Sequence, residues 1–404
     1  LGLSADFVRQ HQARDTSVDA FRQAAIDRFA EAGQASAGNI GGPTASVTQD
    51  ARDRFRQGAR LGFMKRCGIN GGERNEFTGL TLSELARQSL SIANADIPAD
   101  RRAMVGMAFT QAGAHGTSDF SNLLADVANK SVLMGWEEAE ETFERWTRAG
   151  TASDFKPAKR VGLGLHPQLP IKREGAEYEY GTIDDRGETV TLATYGKILR
   201  ITREAVINDD LSVFTTLPVR AGRAARATVG DLAYAVLTSN PNMADGTALF
   251  HADHGNLSAS AGAPSVTTLS AARTAMRTQK EKTGGKSLNI RPAFLLVPAA
   301  LETAATQLMN STVDPQANKG HATNPVAGMA EVVVDGRLDD ASATDWYMTA
   351  DPQAHDTVEI TYLDGQSQPF IEQMDQFKTD GVDLKVRIDA AATPLDWRTM
   401  YKNG

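Results

Sequence analysis

The chain has 404 residues, 41% of them hydrophobic, enough to bury a large core and to build two or more domains. Its 42 Lys and Arg against 50 Asp and Glu leave a formal net charge of −8, which excludes the general phosphate attraction that clustered cations provide. The single cysteine, Cys67, excludes an intrachain disulfide framework and a thiolate-rich metal site, and a buried or partly buried free thiol is expected there.

No apolar run reaches the ~18 residues that a membrane span requires. The opening LGLSADFVRQ carries neither a basic–apolar signal pattern nor an initiator methionine, which leaves proteolytic maturation before Leu1 open. The first third reads as helices on flexible connections. Val18, Phe21, Ala25 and Phe29 share one helical face behind Ser17 as a cap. Gly33 to Asp50 is a small-residue linker expected to stay mobile. Thr81 followed by Glu84 is a capping-box pattern ahead of Leu85.

The spacing of Phe120, Leu123, Leu124, Val127, Met134, Trp136, Phe143 and Trp146 predicts one helix over 118–149, closed by Arg145, Arg148 and Gly150. Its aromatic face reads as packing. From residue 151 the period changes to that of strands, and a long polar hairpin is expected over about 155–197, turning at Asp184 to Gly187. Val190 and Leu192 alternate with threonines, Gly196 marks an expected bulge, and Leu199 and Ile201 resume the alternation. Lys156, Lys159, Arg160, Lys172 and Arg173 face Glu174, Glu177, Glu179, Asp184, Asp185 and Glu188 along its arms. So polar a ribbon is unstable alone and calls for a partner surface.

A long helix is predicted over 217–239, with Pro218 in its first turn and Asn240-Pro241 as its stop. Leu217, Ala221, Ala224, Val229, Leu232 and Val236 form its apolar stripe. Arg220, Arg223 and Arg226 read as a solvated face, with a subunit or DNA contact as the alternative. Beyond it follow a helix ending in a glycine cap at Gly284-Gly285 and a strand at Phe294 to Val297 that leads into another helix. The strand EVVVDGRL then runs into a turn, two short strands pair around Asp364-Gly365, and an alternating strand precedes an aromatic tail. No regular βα alternation and no internal repeat emerge, so the predicted class is α+β.

The chemistry concentrates in ALFHADHGNL, which places His251, Asp253 and His254 within four residues. A zinc site needs three or four such ligands. On a strand, His251 and Asp253 would share a face opposite His254; in a turn, which DHGN suits, all three would be solvated. His11, His115, His166, His321 and His355 stand in unrelated contexts. GGKS at Gly284 to Ser287 lacks the earlier glycine of a phosphate-binding loop, since Lys280 stands there. GLG at Gly162 to Gly164 lacks the third glycine of a dinucleotide fingerprint, and no G-x-S-x-G occurs. No catalytic residue, no cofactor and no metal are expected, and a structural or assembly role is. The rival from another class is a metal-dependent hydrolase using His251, Asp253 and His254.

LFHADHGNL, followed by a helix and an apolar strand, resembles the major head subunit family of Mu-like tailed phages, and the order of elements over about 118–404 agrees. Phe250, His251, Asp253, His254, Gly255 and Asn256 form the hallmark turn, which the resemblance implies is structural, its side chains satisfying backbone groups between two domains. The implied architecture is the Hong Kong 97 capsid fold. It comprises an N-terminal arm at 118–150, an extended loop at 151–197, a peripheral domain at 198–265 and 371–404, and an axial domain at 266–370. Residues 1–117 would be a helical extension, scaffold-like or for assembly, in the mature part of a prohead protease fusion. The resemblance further implies self-assembly into pentamers and hexamers around double-stranded DNA, bound without sequence specificity, in a virion assembled in the host cytoplasm and without membrane contact. Portal, scaffold, protease and decoration proteins are the further partners of such a shell. Extended-loop contacts between subunits are expected at Lys172, Arg173, Glu174, Glu177, Asp184 and Arg186. Some members cross-link a loop lysine to an asparagine; Lys172, Lys156 and Lys159 lie in that region, yet no acceptor or base is identifiable, and no cross-link is expected. A cargo-enclosing nanocompartment is the alternative within the same fold.

Overall fold

A computed structural model describes residues 45–110, 119–162, 186–280, 286–316, 322–376 and 381–404. The chain divides into two compact units, Leu1–Phe55 and Arg56–Gly404. The helix expected behind Ser17 lies outside the described residues. The linker expected to reach Asp50 is already helical from Ala45, where helix α1 (Ala45–Arg66) begins. The helix breakers stop at Gly42-Pro43, and nothing after them opposes the helix.

In the second unit the capping box is formed as expected. The Thr81 N–H donates to Glu84 Oε2 at 2.7 Å, and the Glu84 N–H donates to Thr81 Oγ1 at 3.3 Å. This starts α2 (Leu82–Ile92), which buries Leu82, Leu85, Ala86 and Leu90. Helix α3 (Arg101–Thr110) follows. Cys67 is a free, partly buried thiol, and burial pushes its pKa up to about 12.

Helix α4 (Asp119–Glu138) is shorter than predicted. Phe143 opens a 3₁₀ turn instead, Trp146 caps its end, and β1 (Thr147–Ala152) follows at once. Glu137, Glu138, Glu140 and Glu141 put negative charge at the C-terminal end of the helix, where its dipole opposes it. Trp146 is drawn into the core, edge-on to Tyr234 with ring centroids 5.3 Å apart.

Strands β2 (Ala158–Gly162) and β3 (Arg186–Val190) pair antiparallel, from Ala158 opposite Val190 to Gly162 opposite Arg186. The base of the expected hairpin is therefore present, while 163–185 lie outside the described residues. Arg186 and Gly187 belong to the strand, not to the turn expected there. Strand β4 (Ala193–Thr202) has no bulge at Gly196: its register against β10 (Gly381–Pro394) is unbroken, with Gly196 opposite Arg387. The glycine suits a close approach, since a Cβ there would lie 3.1 Å from the Val386 carbonyl oxygen.

A short helix, α5 (Arg203–Ile207), leads to α6 (Ser212–Ser239). Pro218 is interior to α6, not in its first turn. Proline cannot donate to the carbonyl four residues back. Here the Ser131 hydroxyl, from α4, donates to that Phe214 oxygen at 2.7 Å. The buried face agrees with the expected stripe at Val229 and Val236 but otherwise runs through Phe214, Pro218, Gly222 and Ala225, while Leu217 and Ala224 are exposed. A Cβ at Gly222 would overlap the Val132 carbonyl oxygen, so that glycine sets how closely α4 and α6 approach.

Helix α7 (Val266–Thr278) ends at Gln279, which turns to an extended ψ of 136°, rather than at a glycine cap. Strand β5 (Pro292–Val297), α8 (Glu302–Asn310) and β6 (Glu331–Val334) follow. Where a turn was expected, the Asp335 side chain accepts the Arg337 N–H at 3.0 Å and starts α9 (Gly336–Ala341). Strands β7 (Trp346–Ala350), β8 (Val358–Leu363), β9 (Phe370–Gln376) and β11 (Met400–Asn403) complete the described chain.

The first sheet runs β1-β8-β10-β4, with β9 also paired to β10; the second runs β11-β7-β5-β6. The turn around Asp364 and Gly365 has positive φ at both residues, but β8 and β9 do not pair with each other. Each pairs with a different part of β10, and β8 lies parallel to β1. One core joins α6 to both sheets through Trp146, Tyr234, Phe250, Tyr347, Ile360 and Ile388. A second packs α7 and α8 on the β5-β7 sheet through Leu269, Met276, Leu308, Trp346 and Met348. The class is α+β, as expected.

Candidate functional site

The histidine-rich stretch is a turn and not a strand. Helix α6 stops at Asn240, whose φ is 49°, and the Asn240 side chain grips the backbone of Phe250. Its Oδ1 accepts the Phe250 N–H at 2.7 Å and its Nδ2 donates to the Phe250 oxygen at 3.1 Å. Phe250 itself is buried, with its ring centroid 5.5 Å from that of Tyr347. A 3₁₀ turn then spans Ala252–His254. His251 Nδ1 accepts the Asp253 N–H at 3.2 Å, and Gly255 closes the turn at a φ of 62°, a conformation that favours glycine.

Asn256 is the hub. It is 1% exposed, donates to the carbonyls of Leu249 at 2.8 Å and Trp397 at 3.1 Å, and accepts the His251 N–H at 3.1 Å. The Asn256 carbonyl accepts the Lys402 N–H at 2.8 Å, and Ser258 N–H donates to the Lys402 carbonyl at 2.9 Å. His254 is also buried. Its Nδ1 lies 3.1 Å from the Leu249 carbonyl oxygen and its Nε2 2.9 Å from Asp245 Oδ2. Its ring stacks on Trp397 with centroids 4.3 Å apart and planes 3° from parallel. Gln279, at the end of α7, donates to the His254 carbonyl at 2.9 Å. Burial opposes ionisation of Asp245, but the Thr247 N–H and the His254 ring outweigh it and hold the carboxyl below its usual range.

The arrangement therefore joins the end of α6, the end of α7 and strand β11 at one point. His254 and Asn256 are consumed in satisfying backbone groups and Asp245. The His251 and Asp253 side chains lie 3.3 Å apart and largely in solvent. Among the described residues, no group of three or more His, Cys, Asp or Glu is placed to hold a metal ion. That Asn240, Asp245, Gln279 and Trp397 are partners of this turn is not legible in the sequence. Asn240 was visible only as a helix stop and Trp397 only as part of an aromatic tail, because their partners are distant in sequence.

The expected loop contacts Lys172, Arg173, Glu174, Glu177 and Asp184 lie outside the described residues, and Arg186 is placed on β3. Arg223 pairs with Glu138 at 2.8 Å. Arg226 reaches Glu144 at 2.8 Å and the Trp136 carbonyl at 2.9 Å, so these two cations serve contacts within the chain. Arg220 is exposed. No described helix is long and apolar enough to cross a membrane.

A family model described as phage capsid protein matches residues 187–403, which include α6, the turn at Phe250 to Asn256 and both larger sheets from β4 onward. No curated protein matches the sequence. Among solved structures, a virus-like particle from Pyrococcus furiosus is similar at 9% identity and a TM-score of 0.39, covering 69% of this chain and 98% of that one. The procapsid of bacteriophage JBD30 is similar at 15% identity and 0.40, covering 70% and 73%. The SrpI encapsulin complex from Synechococcus elongatus is similar at 11% identity and 0.41, covering 64% and 85%. At TM-scores below 0.5 these likenesses add no weight to the family match.

Proposed function

The chain belongs to the phage capsid protein family, and on that premise we propose that it is the repeating subunit of a phage head, assembling into pentamers and hexamers that close as an icosahedral shell around double-stranded DNA. The observation that carries this reading is the family match itself, which covers the long helix, the hallmark turn and the strands around them. On this reading 118–150 is the arm, 151–197 the extended loop, 198–265 with 371–404 the peripheral domain and 266–370 the axial domain of a Hong Kong 97 shell. Residues 1–117 are an assembly extension, and kinship with Mu-like heads and with a protease fusion belongs to the same reading.

The physics is compatible. Heterologous contacts that close into rings build such shells, and many modest contacts made together stabilise the closed particle. A net charge of −8 suits a container that must not adsorb the polymer it holds. The polar ribbon rooted at β2 and β3 serves as a strap across a neighbour, its mixed charges setting register. His251, Asp253 and His254 have a structural role in this account, and no catalytic step is assigned to the chain. Portal, scaffold, protease and decoration proteins are its expected further partners, with assembly in the host cytoplasm.

Negative-stain electron microscopy of the purified full chain, paired with its solution mass, tests the proposal. Closed shells, or five- and six-fold multiples of the chain mass, are expected; a monomer or dimer that persists on concentration would sink it. Nuclease-protected DNA within isolated shells separates a phage head from a nanocompartment, which would hold protein cargo.

A further inference from the structure

The root of the β2–β3 ribbon has little apolar attachment. Val190, Leu192 and Ala391 form a small cluster with Ala152 and Leu363, and polar contacts join each strand of the ribbon to the body. Arg160, on β2, lies with Nε 2.8 Å from Glu359 Oε1 and also donates to the Thr151 carbonyl. Glu359, on β8, is 4% exposed; it also accepts from Thr361 Oγ1 at 2.8 Å and pairs with Arg148 Nη2 at 3.1 Å. On the other arm, both carboxylate oxygens of Glu188, on β3, accept the Ala244 N–H at 3.1 Å. A buried carboxylate therefore grips one strand of the ribbon, and the other strand grips the loop that follows α6.

Gly150, on β1, makes the first grip possible. It stands opposite Thr361 in the parallel ladder, and a Cβ there would overlap the Glu359 carboxylate. The absent side chain lets the carboxylate cross over β1 to reach Arg160.

We propose that Glu359–Arg160, admitted by Gly150 and seconded by Glu188–Ala244, is a latch that sets the angle at which the β2–β3 ribbon leaves the first sheet. An ionic root can yield and re-form as a unit, whereas an interdigitated apolar root resists such movement. This has a consequence that rests on the shell reading above: a ribbon in pentamers and hexamers must meet its neighbour at more than one angle, and the latch is where that angle is chosen.

Amide hydrogen exchange on the full chain tests the latch without requiring assembly. Arg160→Ala and Gly150→Ala are expected to speed exchange of the amides in 158–162 and 186–190 by about tenfold or more, leaving the α6 amides as they were. Arg160→Lys should fall between wild type and Arg160→Ala, and Glu188→Gln should have a smaller effect of the same kind. Unchanged ribbon exchange in both Arg160→Ala and Gly150→Ala would overturn the proposal. So would a rise matched in α6, which would mark general destabilisation. Particle diameters measured on the same variants should broaden relative to wild type. If the wild-type chain forms no particles, the shell reading fails while the exchange result still decides the latch.

Discussion

At the scale of single residues, the two histidines of the turn have different consequences despite their shared motif. His254 is buried against Trp397 with both ring nitrogens engaged, so His254→Ala is expected to cost about 2–4 kcal/mol in denaturant unfolding. His251 caps one exposed N–H, and His251→Ala should cost only about 1 kcal/mol or less. Asn256→Ala should match His254→Ala, because it removes three hydrogen bonds at a side chain that is 1% exposed and takes this partner from the Trp397 carbonyl and the His251 N–H. A zinc centre predicts another pattern, in which the purified protein carries stoichiometric metal that His251→Ala removes. Metal analysis is expected to find none in either protein. Asp209 supplies a pH test. Burial opposes its ionisation, but the Arg66 guanidinium and the Leu82 N–H, at 2.9 Å, hold its pKa below the usual value. A carboxyl depressed in the folded state contributes stability that is fully present above its unfolded pKa of about 4 and is lost as pH falls through the folded value. Wild type should therefore lose more stability than Asp209→Asn on acidification below about pH 4, read from unfolding midpoints across that range.

At the scale of elements, helix starts with local causes were legible and helix contacts were not. The Thr81–Glu84 box acts across three residues, and its pattern in sequence is the structure it forms. Pro218 is the opposite case. A proline there reads as a first turn unless something else satisfies the Phe214 carbonyl, and Ser131 does so from another helix. Ser131→Ala is therefore expected to cost about 1–3 kcal/mol, more than an ordinary surface Ser→Ala, measured by denaturant unfolding. Gly222 lies off the expected apolar stripe, yet it is where α6 meets the Val132 carbonyl. Gly222→Ala should destabilise by about 1–3 kcal/mol despite the better helix propensity of alanine, since the added methyl forces the helices apart. The predicted length of α4 failed because aromatic spacing continued past Glu138 by coincidence, while the acidic run and tertiary burial of Trp146 ended the helix.

At the scale of the whole molecule, the shell reading carries a sharp expectation that no covalent cross-links form between subunits. Denaturing gels of assembled particles should show one band at the chain mass, and a ladder of multimers would contradict the absence of a cross-link at Lys156, Lys159 and Lys172. By itself the sequence determined those features whose causes lie within a few residues: the capping box, the stop at Asn240, the alternation along β10 and the turn composition around Gly255. It also determined the α+β class, because hydrophobic period and breakers are local quantities. Only the tertiary structure decided that β8 and β9 both pair with β10, that the turn at Phe250 to Asn256 binds the ends of α6 and α7 to β11, and that Gly150 opens a path from Glu359 to Arg160. Partners so far apart are chosen by which faces bury together and which buried polar groups must be satisfied, and no local period records that choice.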